Sequence, residues 1–250
     1  MKKKIITMMV ALMAIASGAQ AQVNANGHAL VDLGLPSGTM WATMNIGASS
    51  PTASGDHFAW GETETKSSFT AGTYTASNIN HDLTAEEDVA TVKWGGDWRM
   101  PTREEFQELI DNCDKEPIIT NYRFSGWKLT SKLNNNSIIL PTTGSNGEAS
   151  ISGNYWSKDY INETKEGQLF FNSTDIFVDK NYREHGYAVR AVIIKTMPTK
   201  TISNIPNGWK VNGKTPTNGS VAINVGVAVT VTPANIPAGK KISSIKAKKK

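Results

Sequence analysis

The sequence predicts an α+β fold in which one amphipathic helix precedes a mostly antiparallel sheet, with a small all-β module at the C-terminal end. Three observations favour it. A helix-capping signal stands at Thr102, short alternating apolar runs separated by polar turns follow from Asn121 onward, and Asn-Gly pairs recur after residue 200. One helix combined with antiparallel strands is typical of α+β proteins, and Asn-Gly between alternating runs is a strong hairpin signal.

The first 21 residues predict a secretory signal peptide. Three lysines at positions 2–4 precede an apolar run from Ile5 to Ala16, and small residues stand at positions 19 and 21, before the expected cleavage site. The apolar run is shorter than the roughly 20 residues that a membrane-spanning helix requires. We therefore expect a chain that begins near Gln22, is exported, and keeps no integral membrane segment after cleavage.

The net charge of +4 comes from the two ends of the chain. Removing the three leader lysines and the six lysines between 240 and 250 leaves residues 22–239 at −5. A basic charge confined to the ends is not the clustered basic face that nucleic-acid binding requires, so the composition disfavours a nucleic-acid partner.

Cys113 is the only cysteine, so an exported form of this chain has no internal disulfide framework. Its position on the apolar face of the predicted helix favours a small buried side chain. None of the four histidines lies near it in sequence, which disfavours a nucleophilic role.

A polar linker, residues 22–27, is expected to precede the main domain, residues 28–195. The segment from Ala29 to Gly47 predicts two strands joined by a turn at Pro36-Ser37-Gly38. Residues 49–91 are rich in Ser, Thr, Gly and Asp and have little periodicity. They predict a long surface loop, and such loops often carry function.

The next segment predicts a helix from Arg103 to about Asn112. Thr102 and Glu105 have the spacing of a capping box, and apolar residues recur at 106, 109, 110 and 113. Trp98 lies just before the helix start, so we expect it to pack beneath the helix rather than bind a ligand. The segment before Pro117 predicts a turn that ends the helix.

Short strands are predicted after the helix, at 127–131, 137–141, 155–157, 168–171, 175–178 and 187–194, with a hairpin-like join at Asn134-Asn135-Asn136. Trp156 lies within an apolar strand pattern and is expected in the core. Arg190 also lies within an apolar strand, so we expect a buried or half-buried arginine that pairs with a carboxylate.

A linker at 196–200 is followed by a predicted β module at 201–250. Asn-Gly pairs begin at 207, 212 and 218, and odd-numbered valine and isoleucine residues alternate with small or polar residues from Val221 to Val231. This pattern indicates a hairpin or sandwich-like module of roughly 50 residues, a size that is marginal in isolation. It stops in a lysine run without a clear turn, as a truncated repeat would.

The sequence contains no phosphate loop, zinc-ligand spacing or nucleophile elbow, so we predict no catalytic residues, metal or cofactor. Carboxylates that could serve glycoside hydrolysis occur in pairs, but pairs in polar loops are usually solvated. Calcium prefers oxygen ligands, yet the acidic residues at 82–88 match no known calcium loop. The acidic candidates weighed are Glu62, Glu64, Asp82, Glu86, Glu87 and Asp88.

Tyr160, Tyr182 and His185 lie in polar loops between predicted strands. Loop residues positioned by a rigid scaffold commonly contact ligands. We predict that these three side chains face a ligand, with exposed loop aromatics of no function as the alternative.

Six motifs occur in order: VDLGLPSGTMWATMNIGA, GDHFAWGET, WGGDWRMPTREEFQEL, NSIILPTTG, GNYWS and GYAVRAV. Together they resemble the Fibrobacter succinogenes major paralogous domain, over about Leu30 to Ile194. The resemblance implies an exported protein of a Bacteroidota-type bacterium, a C-type lectin-like fold and no established enzymatic activity. The chain departs from this family at Met44, where many relatives have cysteine, and at Ala191, where proline is common.

These observations favour a secreted or surface-attached binding module that recognises a glycan or a surface protein through its loops. One alternative is a structural subunit or adhesin of a bacterial surface assembly, whose β module pairs edge to edge with a neighbour. Another is a glycoside-acting enzyme that uses Glu62 or Glu64. The β module also resembles sorting signals of bacterial secretion systems. Ligand identity, calcium dependence and oligomeric state stay open.

Overall fold

A computed structural model describes residues 6–8, 23–144, 151–194, 199–211, 213–224 and 229–232. They fall into two compact units. The main unit lies within Ala19–Lys195, and the second unit combines Met1–Gly18 with Thr196–Lys250. Most of the predicted signal peptide and the lysine-rich end lie outside the described residues.

Antiparallel strands dominate the described chain, which has two α-helices, α1 (Val89–Trp94) and α2 (Arg103–Asn112), and a short 3-10 helix at Ala71–Thr73. The strands are β1 (Ile6–Met8), β2 (Val23–Ala25), β3 (His28–Asp32), β4 (Thr39–Ala42), β5 (Cys113–Thr120), β6 (Arg123–Ser131), β7 (Ser137–Pro141), β8 (Gly153–Trp156), β9 (Lys165–Phe171), β10 (Ile176–Tyr182), β11 (Val192–Ile194), β12 (Thr199–Ile202), β13 (Lys210–Val211), β14 (Val221–Asn224) and β15 (Val229–Thr232). This arrangement is compatible with the predicted α+β class and equally with a mainly-β one.

Helix α2 begins and ends where the sequence predicts. The Thr102 hydroxyl accepts a hydrogen bond from the amide of Glu105 at 3.1 Å, and the Glu105 carboxylate accepts one from the amide of Thr102 at 2.8 Å. This reciprocal capping box satisfies two of the amides that a helix start leaves unpaired. The helix buries Phe106 and Leu109 against the core.

Three sheets build the main unit, with strand orders β11-β4-β3-β2, β5-β6-β7 and β10-β9-β8. The predicted turn at residues 36–38 is present, since the Gly38 amide donates to the carbonyl of Leu35 at 2.9 Å. The predicted strands at 127–131, 137–141 and 168–171 lie within β6, β7 and β9.

Two clusters of buried side chains form the core of the main unit. The first contains Trp60, Trp98 and Trp156, and the second contains Trp41 and Phe106. Trp156 is 0% exposed and Trp98 is 1% exposed. Both tryptophans therefore lie in the core, as predicted.

The segment 49–91 is not simply a surface loop. It contributes Phe58, Trp60 and Leu83 to the first core cluster, and helix α1 begins within it. Asp88 caps α1 by accepting hydrogen bonds from the amides of Ala90 and Thr91. The prediction missed this helix because its capping residue ends an acidic run that suggests a solvated surface.

Two further predictions about strands were wrong. Val23–Ala25, predicted as part of a linker, forms β2 and pairs with β3 through a turn at Asn26-Gly27, where φ is 49° and 85°. The segment around Pro117, predicted as a turn, forms the eight-residue strand β5. Proline is tolerated there because β5 is an edge strand of its sheet.

Of the predicted strand at 187–194, only Val192–Ile194 form a regular strand, which is β11. Tyr187 bridges to Phe58 and Ala188 bridges to Tyr155, so the chain contacts two different neighbours before it enters the sheet. Burial of the apolar side chains here comes from these crossings and not from a continuous strand.

Arg190 is fully buried, but the prediction that it pairs with a carboxylate was wrong. It donates to Asn45 Oδ1 at 2.7 Å and to the carbonyl oxygens of Ala42 and Ile139 at 3.0 and 2.9 Å. Burial lowers its pKa to about 10, because desolvation disfavours the charged form. These neutral acceptors satisfy the guanidinium in place of an anion.

The second unit consists of sheets with strand orders β1-β15-β13 and β12-β14, around a small core of Ile205, Val211 and Val221. Asn218 and Gly219 form a turn with φ of 50° and 68°, as the Asn-Gly signal predicts. Asn212 lies outside the described residues. Strand β1, which falls within the predicted signal peptide, pairs with β15.

None of the helices in the described part of the chain is long and apolar enough to cross a membrane.

Candidate functional site

A buried ion pair between Arg183 and Glu166 joins three loops of the main unit. The Arg183 side chain is 3% exposed and the Glu166 side chain is 0% exposed. Arg183 also donates to the carbonyl oxygens of Ile79 at 3.1 Å and Asn162 at 2.9 Å. We call this ion pair, with the loops at 61–83 and 159–164 that meet it, the loop junction.

Aromatic rings and a backbone amide complete the loop junction. The guanidinium of Arg183 lies 5.1 Å from the ring centroid of Trp60 and 5.8 Å from that of Tyr160. Glu166 uses its second oxygen to accept from the amide of Ile161 at 2.6 Å. Because both charges are buried and paired with each other, removing either one would leave the other uncompensated.

A partly exposed aromatic surface, here called the ledge, lies directly beside this ion pair in sequence, with Tyr182 exposed and the other two side chains partly buried. It consists of Tyr182, His185 and Lys165. The ring centroids of Tyr182 and His185 are 5.8 Å apart, and Lys165 Nζ lies 4.5 Å from the Tyr182 centroid. Tyr182 is 45% exposed.

Hydrogen bonds to buried groups hold the ledge residues in position. The His185 amide donates to the carbonyl of Tyr182 at 3.1 Å, and His185 Nδ1 lies 3.1 Å from the hydroxyl of buried Tyr187. The carbonyl of Arg183 accepts from the amide of Trp60 at 2.8 Å. The ledge therefore rests on a hydrogen-bonded base that connects it to the first core cluster.

The structure brings two of the three predicted ligand-facing residues together and assigns the third a different environment. Tyr182 and His185 form the ledge. Tyr160 is partly buried, with its ring 6.5 Å from that of Trp60 and its amide donating to Asp82 at 3.0 Å. The Tyr160 side chain therefore helps to enclose Arg183, which makes it a support of the loop junction.

A groove of about 490 Å³ lies along residues 61–66, with Thr73, Thr75 and Ala76 on its other side. Glu62 pairs with Lys66 at 2.6 Å and accepts from the amide and hydroxyl of Thr75. Glu64 pairs with Lys93 at 2.6 Å. Both candidate acids of the glycosidase hypothesis thus form ion pairs with lysines.

Phe69 connects the groove loop to the ledge. A Cβ atom added to Gly186 would lie 2.6 Å from the Phe69 ring, so the ring packs directly on the glycine backbone. Lys66 Nζ in turn lies 5.6 Å from the Phe69 centroid. The groove and the ledge are therefore neighbouring surfaces on one packed set of loops.

Three of the four acidic residues from 82 to 88 accept hydrogen bonds from backbone amides. Asp88 accepts from three amides, including that of Met100 at 2.8 Å, and Glu87 accepts from Thr84 at 2.9 Å. Among the residues that the structure describes, no group of three His, Cys, Asp or Glu side chains could hold a metal ion. Burial raises the pKa of Asp88, although its amide partners oppose this shift.

Sequence reasoning missed Arg183 and Glu166. Arg183 stands between Tyr182 and Glu184 in a polar stretch, and its partners lie between 17 and 106 residues away in sequence. No local pattern marks such a pair. The neighbouring aromatic residues were the available signal, and they led to Tyr182 and His185.

Comparisons with known protein families, curated proteins and solved structures find no match for this chain. Its resemblance to the Fibrobacter succinogenes major paralogous domain therefore stays a prediction from the six motifs.

Proposed function

We propose that this chain is an exported, non-catalytic binding module that recognises a glycan at the ledge. The observation that carries the proposal is that Tyr182 is exposed and directly precedes Arg183, which forms the buried ion pair with Glu166. Large aromatic side chains are usually buried, so an exposed ring on a rigid support suits contact with a ligand.

The chemistry of the ledge suits a sugar ring. The apolar face of a sugar can stack on Tyr182, and its hydroxyl groups can exchange hydrogen bonds with Lys165 and His185. Aromatic surface beside a few placed polar groups is the usual composition of a small-ligand site.

The loop junction supports this role by holding the ledge in place before a ligand arrives. Tyr182 is the last residue of β10, and Arg183 follows it directly. Because Arg183 is tied to Glu166 and to the carbonyls of two other loops, the ledge loses little conformational freedom on binding.

Within this proposal, the main unit has a C-type lectin-like fold and residues 1–21 direct export. The motifs that resemble the Fibrobacter succinogenes major paralogous domain support both statements, and the antiparallel sheets of the main unit are compatible with the proposed fold.

We propose no catalytic step. Glu62 is held by Lys66 and Thr75, and Glu64 by Lys93, so both carboxylates are already engaged in ion pairs. If any glycoside turnover is found, Glu62→Gln and Glu64→Gln should leave it unchanged.

A glycan array tests the proposal. Wild-type protein should bind a defined set of glycans, and Tyr182→Ala should lose at least about tenfold in signal for that set. Phe177→Ala is the matched control, because Phe177 is also an exposed aromatic residue and its ring packs on Phe170 rather than on a ledge residue. The absence of any specific glycan, or an unchanged array profile for Tyr182→Ala, would contradict the proposal.

A further inference from the structure

The hairpin of β5 and β6 ends in a turn at Asn121 and Tyr122, which have φ values of 50° and 60°. Both residues are in the left-handed region, as a two-residue hairpin turn of this type requires, and glycine is favoured at the second position. A bulky residue is unfavourable there because its Cβ approaches the neighbouring carbonyl oxygen.

The Tyr122 side chain makes no contact among the described residues that would offset the strain of its left-handed backbone. It is fully exposed, and in the part of the chain that the structure describes it stacks on no ring and forms no hydrogen bond. Ile119 on the same hairpin is 59% exposed, and Arg123 is exposed as well. The tip therefore presents apolar surface and one cation outward.

A convex tip cannot enclose a small ligand, because small-ligand sites are concave. Its partner must supply the concave surface, and the main unit has an open groove along residues 61–66. The volume of this groove, about 490 Å³, lies within the range of small-ligand pockets.

The groove offers polar atoms that match the tip. The hydroxyls of Thr63 and Thr65 have no hydrogen-bond partner within the described residues, and both line the groove. Glu64 uses Oε1 for Lys93, while its Oε2 has no partner there and its side chain is 78% exposed. The tyrosine hydroxyl can bond to the threonines, and Arg123 can pair with Glu64.

We propose that the hairpin tip of one copy of this chain docks in the groove of a second copy, with Tyr122 inserted and Arg123 paired to Glu64. The two surfaces differ, so the contact is head-to-tail and can extend into an open chain of copies. A contact of this size is weaker than a standard interface, so assembly requires high local protein concentration, as on a cell surface.

Sedimentation velocity of the purified full chain over a concentration series tests the proposal. Wild-type protein should form concentration-dependent dimers and larger chains that weaken at high salt, because an ion pair lies at the rim. Tyr122→Gly and Glu64→Lys should each lower the association constant at least about tenfold.

A mixing experiment separates this contact from nonspecific association. Tyr122→Gly keeps an intact groove and Glu64→Lys keeps an intact tip, so an equimolar mixture should recover dimers that do not extend further. Tyr182→Ala, on the ledge, should assemble like wild type. A wild-type protein that stays monomeric at every concentration, or a mixture that recovers no dimer, would overturn the proposal.

Thermal unfolding keeps the test independent of folding defects. At a protein concentration where wild type is monomeric, Tyr122→Gly should raise the melting temperature by about 2–4 °C, because glycine relieves the strain of the turn. A lowered melting temperature would show that the tyrosine stabilises the monomer, and would remove the reason to assign it to a partner.

Discussion

Glu105 connects the helix start to two other segments of the main unit. Its carboxylate accepts from both terminal nitrogens of Arg99, at 2.7 and 2.5 Å, from the Thr102 amide and from the Thr39 hydroxyl. Burial alone would raise the pKa of Glu105, but the hydrogen bonds from Arg99 and Thr102 outweigh burial and lower it. The ionised form is therefore the one that the fold stabilises.

We predict that Glu105→Gln lowers the free energy of unfolding by about 2 kcal/mol at pH 7, less than for a fully buried pair because Arg99 is partly exposed. A lowered pKa stabilises the fold above the unfolded-state pKa, about 4.3, and this contribution is lost as the pH falls through the folded-state pKa. Urea unfolding should thus show wild type and variant converging between pH 5 and about pH 2.

Glu104→Gln is the control, because Glu104 is exposed in the same helical turn. It should change stability by less than about 0.5 kcal/mol at either pH. A difference between wild type and Glu105→Gln that stays constant with pH would contradict the role given to the carboxylate.

Cys113 is fully buried, and burial raises its thiol pKa to about 11. The thiolate is the reactive form, so the native protein should react with an aromatic disulfide reagent at least about a hundredfold more slowly than the unfolded chain. Absorbance assays with and without denaturant measure both rates. Comparable rates in the two states would contradict burial of the thiol.

At the scale of elements, Phe69 and Gly186 join the groove loop to the ledge. We predict that Gly186→Ala lowers the free energy of unfolding by about 1–3 kcal/mol, because the added methyl group would force Phe69 to move. Gly72→Ala, in the same loop, is the control, since the nearest atom to its added Cβ lies 3.9 Å away. Equal effects of the two substitutions in chemical denaturation would refute the close contact.

Arg183 holds three loops together, and its loss leaves the Glu166 carboxylate buried without a cation beside it. Arg183→Met should lower the free energy of unfolding by about 3–5 kcal/mol and speed amide hydrogen exchange in the loops at 76–83 and 159–164. Arg123→Met, at an exposed arginine, should do neither. Slow exchange in those loops of Arg183→Met would show that the ion pair does not hold them.

Local sequence signals predicted the elements that depend on local interactions. The Thr102 and Glu105 spacing located α2, because a capping box is made within one turn. Asn26-Gly27 is the same Asn-Gly hairpin signal that recurs in the C-terminal β module, so β2 was predictable as well. Strand β5 was not, because its pairing with β6 outweighs the turn preference of Pro117.

The candidate site was predictable only in part, for a related reason. Tyr182 and His185 are close in sequence, so their position in one polar loop already placed them together. Arg183 and Arg190 are satisfied by carbonyl, amide or carboxylate oxygens from distant segments. Only the folded chain identifies those partners, and it shows that the two arginines are stabilised differently.

At the scale of the whole molecule, the main unit carries three surfaces for which we propose partners. We propose that the ledge binds a glycan and that the hairpin tip of one copy binds the groove of another. Binding at the ledge and assembly through the tip use different residues, so a chain of copies would present many ledges. Such multivalency would raise the avidity for a repeating glycan well above the affinity of a single ledge.

Isothermal titration calorimetry with the strongest glycan from the array tests the central claim most directly. The titration is done at low protein concentration, with wild type, Tyr182→Ala and Tyr122→Ala. We expect one site per chain in wild type, a loss of affinity of at least about tenfold for Tyr182→Ala, and wild-type affinity for Tyr122→Ala. Equal affinities for wild type and Tyr182→Ala would contradict the assignment of the ledge as the glycan-binding surface.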